Sequence, residues 1–255
     1  LPAEKLEKEG HKLIKLNIGD PLAYPTFKTP KHMIKAYINA LNNQSNGYSP
    51  SYGIEELRSI ISLNESQKGE GWQCKKDDIY ICHGVTEALQ IIFGSFLEKG
   101  DKVLAPGPHY PPYMAYPQLY GAETIEYKLD PKDAWNIDLD DLESKMNNKV
   151  KLLILINPNN PTGGIISKSY LERIINIVEK WPSCTIISDE IYDMINFTNY
   201  KNSTASLSKN VPVITLNGVS KVYYAPGWRI GYMAWHDPLS KLAKVRDAAE
   251  RLLRS

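Results

Sequence analysis

From Ile79 onward, short apolar runs alternate with stretches of helical spacing, and no other feature of the 255-residue chain constrains its fold as much. Apolar runs predict strands over 79–82, 102–105, 123–129, 152–156, 184–188 and 213–216, with one more over 230–235. Helical spacing predicts helices over 86–97, 114–120, 139–146 and 168–180, and a closing helix over 238–253. Leu152 to Ile156 is apolar at every position, so both faces of that strand must be covered. Parallel strands joined by crossing helices meet that requirement. The expected fold class is α/β, a three-layer sandwich with a mostly parallel central sheet.

The first part of the chain is less regular. Its start reads as the tail of a helix stopped by Gly10, and residues 12–18 read as an extended run closing in Gly19-Asp20-Pro21. Thr29-Pro30 offers an N-cap and first position for a helix to about Leu41. A further helix is expected over 54–67, with Ile54, Leu57, Ile60 and Ile61 at helical spacing.

Composition narrows the function. A formal net charge of +1 gives no electrostatic case for nucleic acid or an anionic membrane. No apolar run approaches the roughly eighteen residues of a membrane helix. The three cysteines, Cys74, Cys82 and Cys184, are odd in number and widely spaced, which argues against a disulfide framework or a Cys-x-x-Cys metal site. With a charged rather than apolar N-terminus, the chain reads as cytoplasmic, with material expected before Leu1.

In parallel sheets ligands collect at the carboxyl ends of the strands, and here those ends carry chemistry. After the first strand, His83-Gly84-Val85-Thr86 opens a helix, so backbone N–H groups and the Thr86 hydroxyl are available to a phosphate; Thr86 could equally be a plain N-cap. After the second, Pro106 to Tyr113 is a stiff loop in which Tyr110 could stack on a flat heterocycle or pack structurally. The strand over 152–156 ends in Asn157-Pro158-Asn159-Asn160-Pro161-Thr162-Gly163-Gly164, a turn able to point an amide into the crevice. Ser188-Asp189-Glu190-Ile191-Tyr192 places an acid and a phenol at another end. An apolar strand followed by Asp-Glu also resembles a magnesium-binding strand, but the phosphate-binding Gly-x-x-x-x-Gly-Lys-Ser/Thr partner is missing. The last end delivers Lys221 onto a loop with Arg229. An amine, an acid, an amide, a phenol, an aromatic face and an anion pocket are the parts needed to hold pyridoxal phosphate.

These motifs, from Leu16-Asn17-Ile18-Gly19-Asp20-Pro21 to Gly227-Trp228-Arg229-Ile230-Gly231, resemble those of class I/II aminotransferases of pyridoxal-phosphate fold type I. The resemblance implies an enzyme moving an amino group from an L-amino acid to a 2-oxo acid. Lys221 would form the aldimine and shuttle the proton at substrate Cα; Asp189 would pair with the pyridine nitrogen. Asn160 and Tyr192 would bond the ring oxygen, and Tyr110 would stack on the ring. Arg229, Gly84, Val85, Thr86 and Ser220 would hold the phosphate. Gly19 and Asn160 would lie against the substrate carboxylate, and Tyr48 would reach the neighbouring subunit's phosphate, implying a homodimer. Residues 1–45 then form an N-terminal arm with part of a small domain, and 46–255 the large cofactor-binding domain. The C-terminal small domain, which carries the family's carboxylate-clamping arginine, is expected to be absent; Arg246, Arg251 and Arg254 match no such position. A C–S lyase or decarboxylase of the same fold, or an inactive cofactor-binding fragment, remains the alternative.

Overall fold

The computed structural model describes residues 2–14, 19–198 and 202–254. Its strands are β1 (Ile79–Cys82), β2 (Lys102–Gly107), β3 (Glu123–Asp130), β4 (Asn136–Ile137), β5 (Val150–Ile156), β6 (Thr185–Asp189), β7 (Val213–Gly218) and β8 (Gly231–His236). They form one sheet in the order β1-β8-β7-β6-β5-β2-β3-β4. The run from β3 through β2, β5 and β6 to β7 is parallel. β8 is antiparallel to both β7 and β1, so β1 points the same way as the parallel set. The carboxyl ends of β1, β2, β5, β6 and β7 therefore share one edge.

The helices are α1 (Pro2–Lys8), α2 (Lys31–Asn42), α3 (Glu55–Ser66), α4 (Val85–Phe96), α5 (Pro112–Leu119), α6 (Leu139–Lys145), α7 (Lys168–Glu179), α8 (Thr204–Leu207) and α9 (Ala243–Leu253). Side chains alternate along a strand, and β5 shows what that does. Leu153 and Leu155 pack with Leu142 of α6 and Leu171 and Ile174 of α7. Leu152, Ile154 and Ile156 belong with Leu89, Ile92 and Phe93 of α4 and Ala249 of α9. Each such side chain contributes about 1.5–3 kcal/mol on burial. Two apolar layers on one sheet give the α/β three-layer sandwich expected from the strand pattern.

Several boundaries differ from the sequence reading, each for a local reason. Thr29 does not cap α2, because its hydroxyl donates to the Tyr224 carbonyl (2.6 Å) and the helix starts after Pro30 without a side-chain cap. The closing helix starts at Ala243 rather than Pro238. Asp237 takes the Lys241 and Leu242 N–H groups and Ser240 turns left-handed (φ +53), which holds that segment in a turn. The inner face of α3 buries Ser62 and Glu65, whereas Ile54 and Ile60 are each 51% exposed. β4 and α8 had no counterpart in the sequence pattern. Residues 15–18 of the expected extended run lie outside the described residues.

Candidate active site

The shared edge encloses a cavity of about 600 Å³. Val85, Thr86, Tyr110, Asn160, Asp189, Tyr192, Ser220, Lys221 and Arg229 line it from separate strand ends, and Gly19 joins them from the N-terminal segment. Two sequence-predicted residues do not. Gly84 sits at the rim as the cap of α4, and Tyr48 is fully exposed on an outer loop.

Lys221 follows β7, and its Nζ donates to the Gly19 carbonyl at 2.7 Å. Burial pushes the amine below its ordinary value; Asp20 opposes the shift and Arg229 adds to it. A lowered amine pKa leaves more of the neutral nucleophile at a working pH.

Asp189 closes β6, where its register partners are Ile156 and Leu216, both buried. Its Oδ1 accepts the Ile191 N–H at 3.1 Å, and its Oδ2 accepts the hydroxyl of fully buried Tyr113 in a short hydrogen bond. Burial pushes the carboxyl up to about 6 despite both donors. A cation placed opposite it in the cavity would restore the carboxylate. Tyr113 is the functional neighbour that sequence reasoning missed. It sits in the first turn of α5, three residues after Tyr110, but no spacing rule announces that its hydroxyl crosses to β6.

Tyr192 follows Asp189 in the next turn, and burial, then the Asp189 charge, pushes its phenol up to about 12. It therefore stays a donor across the ordinary pH range. The Asn-rich turn divides its labour. Asn157 exchanges hydrogen bonds with the Ile166 backbone and Asn159 accepts from Thr162, so these two build the loop and Asn160 is left lining the cavity. Tyr110 stands edge-on to Tyr113, with ring centroids 5.8 Å apart.

The anion end of the cavity depends on close backbone approach. α4 begins at Val85 with Gly84 as its cap at φ +78, so Thr86 is not the capping residue. The first amides of the helix have no acceptor within it. Arg229 lies across them in the left-handed region (φ 54, ψ 48), at a strain of about 1–3 kcal/mol. Its guanidinium donates to the Pro226 carbonyl at 2.9 Å and the His83 carbonyl at 3.4 Å. A Cβ on Gly84 would fall 2.4 Å from Arg229 Nη2, and one on Gly231 would fall 2.7 Å from the Gly84 carbonyl carbon and the Val85 nitrogen. Gly231→Ala should therefore push β8 off α4, destabilise the fold by about 1–3 kcal/mol and weaken phosphate binding. Urea denaturation and inorganic phosphate titration, side by side, check both effects.

Behind the Asp189–Tyr192 turn lies a buried charged cluster. Lys68 Nζ meets Glu65 Oε1 at 2.6 Å, Asp193 Oδ2 at 2.7 Å and Glu190 Oε2 at 3.8 Å. Burial works against its ammonium, but the three carboxylates outweigh that and hold it above its usual value. Burial also pushes Glu190 up to about 7, with Lys68 opposing. The native state thus keeps the Glu190 proton more tightly than the unfolded chain, whose value is near 4.5. Below both values this difference contributes nothing; as pH rises from about 4.5 to 7, stability falls, and beyond that the loss is complete. Compared with a Glu190→Gln variant, the protein should lose stability as pH rises across that window in parallel denaturant titrations.

The residues present suit pyridoxal phosphate, the cofactor implied by the motifs. An amine, a buried carboxylate and a phenol face one cavity, and the Arg229 guanidinium and the start of α4 stand together at one end of it. The C-terminal arginines are engaged elsewhere. Arg246 donates to the Asp77 carbonyl (2.7 Å), Arg251 to Asp247 (2.8 Å) and Arg254 to the Tyr52 hydroxyl (2.9 Å). Among the described residues there is no cluster of side chains suited to a metal ion, and no helix long and apolar enough to cross a membrane.

Comparison with known proteins places the chain in a family. The family model for aminotransferase class I and II matches residues 11–255. The alanine aminotransferase of Mycobacterium bovis is 37% identical over 238 residues, covering 92% of this chain and 54% of that protein. The glutamate-pyruvate aminotransferase of Escherichia coli K12 is 35% identical over 237 residues, covering 92% of this chain and 58% of that protein. The solved alanine aminotransferase of Pyrococcus furiosus superposes with a TM-score of 0.94 at 46% identity, over 99% of this chain and 64% of that one. The chain spans just over half the length of the curated relatives it matches. With that family model matching almost the whole chain and a relative 37% identical over 92% of it, the chain belongs to the class I and II aminotransferases.

Proposed function

We propose that this chain is the cofactor-binding part of a pyridoxal-phosphate-dependent aminotransferase that moves an amino group from an L-amino acid to a 2-oxo acid. The observation that carries the reading is the convergence of Lys221, Asp189, Tyr192, Asn160, Tyr110 and Arg229 on one cavity from separate strand ends. When bound, pyridoxal phosphate supplies an electron sink for the pair released as the substrate Cα–H bond breaks. Lys221 Nζ, held by the Gly19 carbonyl and lowered in pKa, is the base that takes and returns the proton at Cα. Asp189, its two oxygens fixed by Tyr113 and Ile191, would balance the charge of the ring nitrogen. Tyr192 and Asn160 would donate to the ring oxygen, and Tyr110 would cover the ring. Arg229, the Val85 and Thr86 amides and the Thr86 and Ser220 hydroxyls hold the phosphate, a helix N-terminus and a guanidinium acting together on one dianion.

The names of the relatives, alanine and glutamate-pyruvate aminotransferases, support a small acceptor such as pyruvate. Full exposure of Tyr48 supports a homodimer in which it serves the neighbouring site. Helices α1 and α2 bury no residue, which supports reading residues 1–45 as an arm with part of a small domain, apart from the large domain of 46–255. Three buried, unpaired cysteines support a reducing compartment such as the cytoplasm. The test uses the full-length protein loaded with the cofactor. Visible absorbance that borohydride traps on Lys221, with a new amino acid and a new 2-oxo acid as products, supports the reading. Pyruvate and ammonia released from a β-substituted amino acid would replace it with an eliminating enzyme.

A further inference from the structure

The turn after β6 has two sides. Asp189, Ile191 and Tyr192 line the cofactor cavity, whereas Glu190 and Asp193 point away from it and into the cluster around Lys68. Lys68 follows α3, and its side chain is 18% exposed. Its ammonium closes on Asp193 at 2.7 Å from one direction, while Asn217 Nδ2 reaches the same Asp193 oxygen at 2.9 Å from the end of β7. Asn217 belongs to the strand that delivers Lys221. Asp193 thus joins the turn that carries Tyr192 both to the strand that carries the reactive lysine and to the half-buried Lys68 ammonium.

The remaining contacts give the anchor a rigid base. Glu65, at the end of α3, bonds Lys68 at 2.6 Å and accepts the Tyr232 hydroxyl of β8 with the same oxygen, also at 2.6 Å. The Lys68 carbonyl accepts the Ser203 N–H at 2.9 Å, and Ser203 Oγ donates to Glu190 Oε1 at 2.8 Å. Glu190 takes two further donors, Ser188 Oγ and the Thr204 N–H. Three carboxylates around one ammonium make a poor arrangement if stability alone is at issue, because buried charges lose hydration that pairing only partly restores. They make a better arrangement for fixing a backbone turn, because a buried polar network rigidifies the segments it joins.

We propose that Lys68 is a positioning residue for Tyr192: it holds the back of the Asp189–Met194 turn through Asp193 and Glu190 and so sets the place of the Tyr192 phenol at the cofactor's ring oxygen. The inference rests on the functional reading above and adds to it a residue that lies outside the cavity. A hydrogen bond from Tyr192 stabilises the ionised ring oxygen and lowers the pH at which the visible absorbance of the lysine-bound cofactor changes. Loss of Lys68 should undo this in part.

The experiment compares the full-length protein with Lys68→Met, with Lys68→Met/Glu65→Gln, which removes one stranded carboxylate so that a folded variant is retained, and with Tyr192→Phe. Two quantities are read. In protein free of cofactor, amide hydrogen exchange over 190–195 should rise at least tenfold more in the Lys68 variants than exchange in β5. In protein loaded with pyridoxal phosphate, the midpoint of the visible pH titration should move upward, in the direction of Tyr192→Phe, by about one unit, a tenfold change. A general loss of stability with the midpoint unmoved overturns the proposal, as does unchanged local exchange. If the unmodified protein takes up no cofactor on Lys221, the functional reading falls and the inference with it. An unmoved midpoint in a protein that does take it up overturns the inference alone.

Discussion

Lys221→Ala in the full-length protein is expected to lose transaminase turnover by roughly four orders of magnitude or more, in line with the removal of groups that are both nucleophile and base. The fold should be unaffected. Among the described residues the Lys221 amine makes one hydrogen bond, to the Gly19 carbonyl, and its loop is shaped by left-handed Tyr224 and Arg229 rather than by the amine. Pyridoxal phosphate should still bind through the anion site and the Asp189 end, now without borohydride-trappable attachment. Single-turnover kinetics together with intact mass after reduction reads both effects. A variant that keeps a reducible adduct on another lysine, with turnover within tenfold of the parent, would show that Lys221 is not the reactive amine.

Asp189→Asn is the second large effect. An amide has nearly the shape of the carboxylate and can keep both local partners, accepting the Ile191 N–H and meeting the Tyr113 hydroxyl, so stability should change little. What it removes is the negative charge proposed to face the ring nitrogen. Removing one member of a buried, hydrogen-bonded charge pair costs about 2–5 kcal/mol, which corresponds to a loss of cofactor affinity of roughly thirtyfold to several thousandfold. Turnover at saturating cofactor should fall further, since an unprotonated ring is a weaker electron sink. Equilibrium dialysis with pyridoxal phosphate separates the affinity loss from the rate loss, and an unchanged dissociation constant would remove Asp189 from the role of charge partner. Asp189→Ala, by contrast, strands the buried Tyr113 hydroxyl and should also destabilise the fold, by about 1–3 kcal/mol.

Much of the site was legible before any coordinates because its parts sit at the ends of apolar strands. β5, β6 and β7 are buried along their length, so their ends are easy to find, and the residues just beyond them are polar for a reason other than solubility. Lys221, Asp189, Tyr192 and Arg229 were singled out in this way, and Asn160 by the family resemblance. Tyr113 and Lys68 were not. Each acts across the sheet or behind it, on a residue dozens of positions away, and local spacing carries no record of such pairings. The same limit explains Thr29, whose sequence context reads as a helix cap but whose hydroxyl is taken by the Tyr224 carbonyl from the far end of the chain.

The order of apolar and helical stretches by itself determined the sheet, its two covered faces and the edge where chemistry would collect, because alternation and burial are local consequences of side-chain polarity. Only the tertiary structure decided how the strand-end groups are held. The Gly84–Gly231 approach that seats Arg229 over α4, the Tyr113 hydroxyl on Asp189, and the Lys68 ammonium behind Tyr192 all depend on distances set by packing. Packing is a property of the whole chain at once, and a hydrogen bond between distant residues exists only after the sheet has brought them together.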